Sequence, residues 1–340
     1  MHDASESQCV AGWAPGLLVT ALLGLALVGC RAGEAAAPRA DGAGGGVVEH
    51  PELERVEPYT PFLARRAQFR SRVAAAPPNR VQDALMAPPP WLEEVQFRSG
   101  ALSLRAWLSA PARSSTESAA QSPAVVYFHH DFALTQEALD GARPFVDAGY
   151  VVLFPMLRGE NGNPGAFELL AGEVDDGLAA VEFVAARRDV DRRKIYAFGH
   201  SIGGGVVALL SLFPAAPLRR TASVGGIYRA SAFFAWAKAT NTNLVRFDPR
   251  DVREVTLRLL IPNLADLVHP HLAYAGRGDA FDTRDARYAA ALAAPLGAPL
   301  EAVLVDGDHM ASVRPAAADF RRRIELDVAN DAKEARGRTP

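Results

Sequence analysis

The sequence predicts an α/β fold with a mostly parallel central sheet and helices on both faces. Three observations support this prediction. Short apolar runs recur between residues 124 and 305, helical segments separate them, and one alternating hairpin precedes them. Continuous apolar strands that alternate with helices indicate a sheet that is covered on both sides.

The elements follow in order along the chain. Alternating residues around Ser99-Gly100 predict a β-hairpin over 93–98 and 101–110, and polar residues 111–122 predict an exposed loop. Strands and helices then alternate. The predicted strands are 124–128, 150–154, 194–198, 221–225, 271–275 and 301–305. The predicted helices are 136–148, 172–187, 202–213 and 315–327. Active sites in such sheets lie beyond the carboxyl ends of the strands.

The N-terminus reads as a targeting segment of lipoprotein type. An apolar run from Leu17 to Val28 ends just before Cys30, and a run this short matches a signal peptide better than a spanning helix. The first residues carry Asp3 and Glu6 and no Lys or Arg, so a plain secretory signal and an uncleaved anchor remain alternatives. We expect export to the bacterial cell envelope, with a lipid on Cys30 as the only membrane contact.

The domain boundaries follow from composition. We expect a signal peptide over 1–29 and a flexible, Ala- and Gly-rich tether over 30–50. An irregular extension over 51–90, with a helix near 61–76, precedes the catalytic domain at 91–327, and a polar tail occupies 328–340. Residues 228–270 interrupt the alternation with no strand pattern, which favours a helical cap over the site, although packed surface helices would give the same pattern.

Charge and cysteine content exclude several classes. The net charge is −3, the sequence pI is about 6.3, and no long basic run is present, so no nucleic-acid partner is expected. Cleavage before Cys30 would remove Cys9, the only other cysteine. We therefore expect no disulfide and no cysteine metal site, and the sequence calls for no cofactor or metal.

The candidate nucleophile is Ser201 in the motif Gly199-His200-Ser201-Ile202-Gly203. A predicted strand ends just before the motif and a predicted helix begins just after it, which is the context of a nucleophile elbow. Such a turn strains the serine backbone and needs small neighbours, and Gly199 and Gly203 supply the space.

The candidate base and acid follow later strands. His309 stands after the strand 301–305 and before the last helix, and the order serine, acid, histidine is typical of this type of site. Asp279 follows the strand 271–275 and is the predicted acid, with Asp282 as its rival. The predicted oxyanion donors are two backbone N–H groups, of Ile202 next to the nucleophile and of Asp131 in the loop after the strand 124–128. A polar loop without that role is the alternative for Asp131.

These residues together resemble the α/β-hydrolase superfamily, in particular the catalytic domain of prolyl oligopeptidases and the dienelactone hydrolase-like esterases. The resemblance covers about residues 91–327 and rests on the following pieces: His129-His130-Asp131, Arg158-Gly159, Glu173-Val174-Asp175-Asp176, Asp189 to Ile195, Gly199 to Gly204, Gly278-Asp279 and Asp308-His309. It implies an α/β-hydrolase fold with a small helical cap. Those families usually carry glycines where this chain has His130-Asp131, and about 60 residues between Cys30 and Trp91 are too few for a β-propeller.

The predicted function is hydrolysis of carboxylic ester or peptide bonds through an acyl-enzyme on Ser201. The single domain and the apolar residues Phe233, Phe234 and Trp236 favour esters slightly. A prolyl oligopeptidase-like serine peptidase is the first alternative. A non-catalytic envelope binding protein is the second, because the loop at His130-Asp131 departs from the family pattern. The expected partners are a small ester or a short peptide.

Overall fold

The computed structural model describes residues 53–56, 58–74, 85–109, 121–239 and 245–337. The predicted signal peptide and tether, with parts of the N-terminal extension, lie outside these residues. Within the described ranges, no helix is both long enough and apolar enough to cross a membrane.

Eight strands form one sheet in the order β1-β2-β4-β3-β5-β6-β7-β8. β1 pairs with β2 and β2 with β4 in antiparallel fashion, and the other neighbouring pairs are parallel. The predicted mostly parallel sheet with an antiparallel edge is therefore confirmed. The strands are β1 (Leu92–Ser99), β2 (Leu102–Ser109), β3 (Ser122–Phe128), β4 (Val151–Pro155), β5 (Val190–His200), β6 (Arg220–Val224), β7 (His271–Gly276) and β8 (Leu300–Val305).

Helices cover both faces of the sheet, and each face has its own apolar cluster. One cluster takes buried residues from α4, α5 and α8, and the other takes them from α2, α3 and α9. The helices are α1 (Phe62–Gln68), α2 (Gln136–Gly141), α3 (Arg143–Val146), α4 (Gly172–Ala185), α5 (Ile202–Leu210), α6 (Ala230–Ala239), α7 (Val252–Thr256), α8 (Ala280–Ala293) and α9 (Val313–Gly337), with short 3-10 helices at Ile261–Asp266 and Ala294–Leu296.

Two helices differ from the prediction. The helix expected over 136–148 is divided into α2 and α3, with Pro144 at the second position of α3. Proline has no N–H to continue the hydrogen-bond ladder of α2. The last helix, predicted to end at 327, continues through Gly337, so the polar residues 328–337 are helical. No glycine or proline interrupts α9 after Pro315, and ion pairs one turn apart, such as Arg323 with Asp319, support it.

The predicted cap region is helical. It contains α6, α7 and the 3-10 helix Ile261–Asp266. Phe233 is fully buried, and Phe234 and Trp236 pack against the same core cluster. These aromatic residues therefore serve packing at least in part, and their role at the substrate remains a prediction.

The topology brings the predicted site residues to one edge of the sheet. Asp131 follows β3, Ser201 follows β5, Asp279 follows β7 and His309 follows β8. Because these strands are parallel, their carboxyl ends lie at the same edge.

Candidate active site

Ser201 lies in a strained turn between β5 and α5. Its backbone angles are φ 54° and ψ −116°, a region that residues other than glycine rarely occupy. Its N–H donates to the Val224 carbonyl at 2.8 Å, and its carbonyl accepts from Gly205 at 3.0 Å. The turn is thus fastened to β6 on one side and to the first turn of α5 on the other.

The two motif glycines are required by close backbone approaches. A Cβ on Gly199 would clash with the carbonyl of Gly203, and a Cβ on Gly203 would clash with the carbonyl of His129. The loop after β3 therefore packs directly against the first turn of α5. The approach of this loop excludes a side chain at Gly203, and the approach of Gly203 excludes one at Gly199.

The His309 ring is held by a carboxylate and by a glycine turn. Nδ1 lies 2.7 Å from Oδ2 of Asp282. The Cε1 side of the ring packs on Gly225, which has φ +56°, and a Cβ there would lie 2.7 Å from Cε1. Only glycine suits this position, because the turn is left-handed and the imidazole occupies the space of a side chain.

In the structure, Asp282 forms the hydrogen bond with the His309 ring, whereas the sequence prediction preferred Asp279. Oδ2 of Asp279 is 3.9 Å from His309 Nδ1. Asp279 Oδ1 instead caps α8 by accepting from the N–H groups of Phe281 and Asp282, each at 2.9 Å. A capping aspartate is held at the helix start, while Asp282, one turn later, points its buried carboxylate at the imidazole. The carboxylate that contacts the His309 ring is therefore Asp282, the rival in the sequence prediction, and not Asp279.

The carboxylates set the charge preference of His309. Burial lowers the pKa of His309, but the hydrogen bond and charge of Asp282 and the charges of Asp279 and Asp131 outweigh it, so the pKa lies above its ordinary value. Burial and the charge of Asp282 raise the pKa of Asp279. The site therefore stabilises an imidazolium, which a histidine becomes after it takes a proton.

The candidate oxyanion donors lie on two adjoining segments. Ile202 is the first residue of α5, so its N–H has no partner within the helix. Asp131 adopts φ 58° and occupies the loop that packs on the start of α5. Its side chain is 64% exposed, with Oδ2 3.8 Å from Nε2 of His130. An aspartate thus occupies a left-handed conformation that glycine usually takes, and its role as second donor remains a prediction.

The predicted nucleophile and the predicted base flank the same short turn. The Ser201 N–H donates to the Val224 carbonyl, and the His309 ring packs on Gly225, which directly follows Val224. Within the described part of the chain, no hydrogen bond joins the Ser201 hydroxyl to the His309 ring. Such bonds are often long in unliganded enzymes and shorten when substrate binds.

Two carboxylates and the imidazole at this site form the only cluster of three or more His, Cys, Asp or Glu side chains in the described ranges that is spaced closely enough to hold a metal ion. One ligand atom each of Asp279, Asp282 and His309 lies within 4.8 Å of the others. However, Nδ1 of His309 already binds Asp282, and a carboxylate that orients an imidazole accounts for the cluster.

Two residues at this site received too little weight in the sequence prediction. Asp282 was weighed only as a rival, although its spacing of three residues from Asp279 places both on one side of a helix start. His200 was considered only as a part of the elbow, yet its Nε2 lies 3.0 Å from the backbone carbonyl of His309. A polar aromatic residue directly before the nucleophile was the available signal.

The fold and this arrangement define a member of the α/β-hydrolase class. A model of the X-Pro dipeptidyl-peptidase (S15) family matches residues 56–245, more than half of the chain. The chain belongs to this family.

Individual relatives are distant. The chain is 24% identical over 116 residues to an uncharacterized peptidase, YtmA, of Bacillus subtilis, a match that covers 34% of this chain and 40% of that protein. The acylaminoacyl peptidase of Pyrococcus horikoshii is similar in structure, with 17% identity, a TM-score of 0.54 and coverage of 70% of this chain and 40% of that one. An esterase of Pyrobaculum calidifontis has 18% identity, a TM-score of 0.55 and coverage of 71% and 87%. At these identities the structures establish the fold.

Proposed function

We propose that the protein is a serine hydrolase that cleaves carboxylic ester or peptide bonds through an acyl-enzyme on Ser201. The observation that carries the proposal is the strained backbone of Ser201, between two glycines that admit no side chain. Strain of this kind persists only where the surrounding structure enforces it, and it clusters at active sites.

The mechanism follows from the contacts of His309. Its Nε2 takes the proton of the Ser201 hydroxyl as Oγ forms a bond to the substrate carbonyl carbon. Asp282, at 2.7 Å from Nδ1, orients the ring and stabilises the imidazolium. The N–H groups of Ile202 and Asp131 receive the negative charge on the carbonyl oxygen. His309 then protonates the leaving group, and water releases the acid in the reverse sequence of steps.

Two substrate classes are candidates. Esters are favoured by the apolar residues Phe234 and Trp236 in the predicted cap, which are only partly buried, whereas Phe233 belongs to the buried core. Release of X-Pro dipeptides is the second candidate, and the family match favours it.

A substrate panel separates these candidates. We would measure kcat/KM for p-nitrophenyl esters of increasing chain length and for X-Pro and other dipeptidyl p-nitroanilides, with Ser201→Ala as the control. Turnover of one class that the alanine variant abolishes would assign the activity. Turnover of both classes that survives in Ser201→Ala would refute the acyl-enzyme, and no turnover by the wild type would favour a binding protein.

We also propose that the chain is exported and anchored in the cell envelope by a lipid on Cys30. The apolar run that ends at this cysteine supports the proposal. Expression in a bacterium fed an alkyne-labelled fatty acid should label the wild type and leave Cys30→Ser unlabelled. Equal labelling of both proteins, or a mature N-terminus elsewhere, would contradict it.

A further inference from the structure

His200 joins the nucleophile turn to the loop that carries the base. It precedes Ser201 directly and is 1% exposed. Its Nε2 lies 3.0 Å from the backbone carbonyl oxygen of His309, which is 109 residues away in sequence. This hydrogen bond therefore connects the two segments whose relative position decides whether Ser201 and His309 meet.

The chemistry of this contact determines where the His200 proton lies. A carbonyl oxygen only accepts, so Nε2 must donate. Burial, followed by the charges of His309 and His130, holds the pKa of His200 well below its ordinary value. His200 is consequently a neutral imidazole with its proton on Nε2, and it adds no positive charge beside the base.

The ring of His200 also contacts the base itself. The ring centroids of His200 and His309 are 4.9 Å apart, with an interplanar angle of 43°. The ring centroid of His130 also lies 5.1 Å from that of His200. Three residues thus contact His309. Asp282 lies at Nδ1, Gly225 lies at Cε1, and His200 contacts both the ring and the backbone carbonyl of His309.

We propose that His200 is a positioning residue, which holds the His309 imidazole where it can take the proton of Ser201. The inference rests on the proposed function. It assigns to His200 a role through His309 and no contact with substrate. Small displacements matter here, because a shift of about 1 Å at a reacting group can reduce the rate about 100-fold.

The test compares two variants at His200 with a matched histidine elsewhere. His200→Phe keeps an aromatic ring and loses the donor, whereas His200→Gln keeps an amide N–H at the position of Nε2. His269→Phe is the control, because Nε2 of His269 also contacts a backbone carbonyl, that of Phe213, at 2.8 Å, at the opposite end of β7. For each variant we would measure kcat and KM on the same ester substrate, stability by urea unfolding, and the ¹H NMR resonance of the His309 Nδ1–H.

We expect His200→Phe to lower kcat about 100-fold with KM within about twofold, and to shift or broaden the Nδ1–H resonance. His200→Gln should recover about tenfold or more of the lost kcat and the resonance. His269→Phe should change neither, even where it lowers stability. If His200→Phe does not fold, His200→Asn replaces it, since its amide is one methylene too short to reach the carbonyl.

Several results would overturn the inference. These are kcat of His200→Phe within twofold of the wild type, an unchanged Nδ1–H resonance in that variant, or equal losses in His200→Phe and His200→Gln. The resonance does not depend on turnover. A wild type that hydrolyses nothing in the panel would therefore refute the proposed function, while the NMR comparison would still decide the role of His200.

Discussion

At the scale of single residues, the site depends on which carboxylate serves His309. Asp279 and Asp282 both lie near Nδ1, at 3.9 and 2.7 Å, and the sequence prediction placed Asp279 first. The spacing places both at the start of a helix, but only the three-dimensional path of the turn decides which one caps α8 and which one faces the ring.

Matched substitutions distinguish the two carboxylates. Asp282→Asn should lower kcat about 10⁴-fold, because the amide no longer holds the required tautomer of His309. Asp279→Asn should lower it much less, since an asparagine can still cap α8. Steady-state kinetics on the same ester test this. A larger loss in Asp279→Asn than in Asp282→Asn would return the role to Asp279.

The pH dependence reports the charge around His309. Its pKa is raised by Asp282, Asp279 and Asp131 against the effect of burial, and only the neutral ring accepts a proton. The acid limb of kcat/KM should therefore have its midpoint above the ordinary histidine value of about 6.5. Asp131→Asn, which removes one of these charges, should move the midpoint to lower pH. A midpoint below 6.5 in the wild type, or a shift to higher pH in the variant, would contradict this assignment.

At the scale of elements, the sequence predicted the strands well because buried parallel strands are short apolar runs. Helix ends were less predictable. The division at Pro144 and the extension of α9 to Gly337 depend on local hydrogen bonds and ion pairs, which an apolar pattern does not record. The turn before α4 was also missed. Leu169 and Leu170 both have positive φ, at 57° and 64°, and neither is a residue type that announces such a turn.

A buried carboxylate holds that turn. Glu173 is fully buried and accepts from the N–H groups of Glu168, at 2.5 Å, and Ala171, at 3.1 Å. Burial raises its pKa to about 7 despite these hydrogen bonds. A carboxyl that is harder to ionise in the folded state favours folding at low pH, and this contribution is lost as the pH rises through about 7.

The corresponding prediction concerns stability against pH. Relative to Glu173→Gln, the wild type should lose on the order of 3 kcal/mol of unfolding free energy between about pH 4.5 and pH 7. Glu182→Gln on the same helix, where the carboxylate is half exposed, should parallel the wild type. Urea unfolding at several pH values measures the difference, and parallel curves for wild type and Glu173→Gln would rule out the raised pKa.

At the scale of the whole molecule, the described part of the N-terminal extension is built into the catalytic unit. The ring of Phe62 is fully buried and lies edge-on to Phe213, with centroids 5.7 Å apart. The backbone N–H of Phe62 donates to Asp266 in the predicted cap region, and the Ser71 hydroxyl donates to Glu254. The sequence predicted an irregular extension with a helix near 61–76 but none of these contacts, because contacts of such long range leave no periodic pattern.

This packing predicts a global effect of a remote residue. Phe62→Ala should lower the free energy of unfolding by about 3–5 kcal/mol, through lost apolar burial and a cavity. Leu63→Ala next to it should change little, since Leu63 is exposed. Urea unfolding monitored by circular dichroism compares them. Equal, small losses would show that the extension does not support the domain.

The proposed mechanism requires Ser201 to be the nucleophile, and covalent capture of its hydroxyl tests this role. The protein is treated with a fluorophosphonate, and the modified residue is located by mass spectrometry of its peptides. We expect one stoichiometric adduct on Ser201, with none in Ser201→Ala and much slower formation in Asp282→Asn. An adduct on another residue, or undiminished labelling of Ser201→Ala, would show that Ser201 is not the nucleophile.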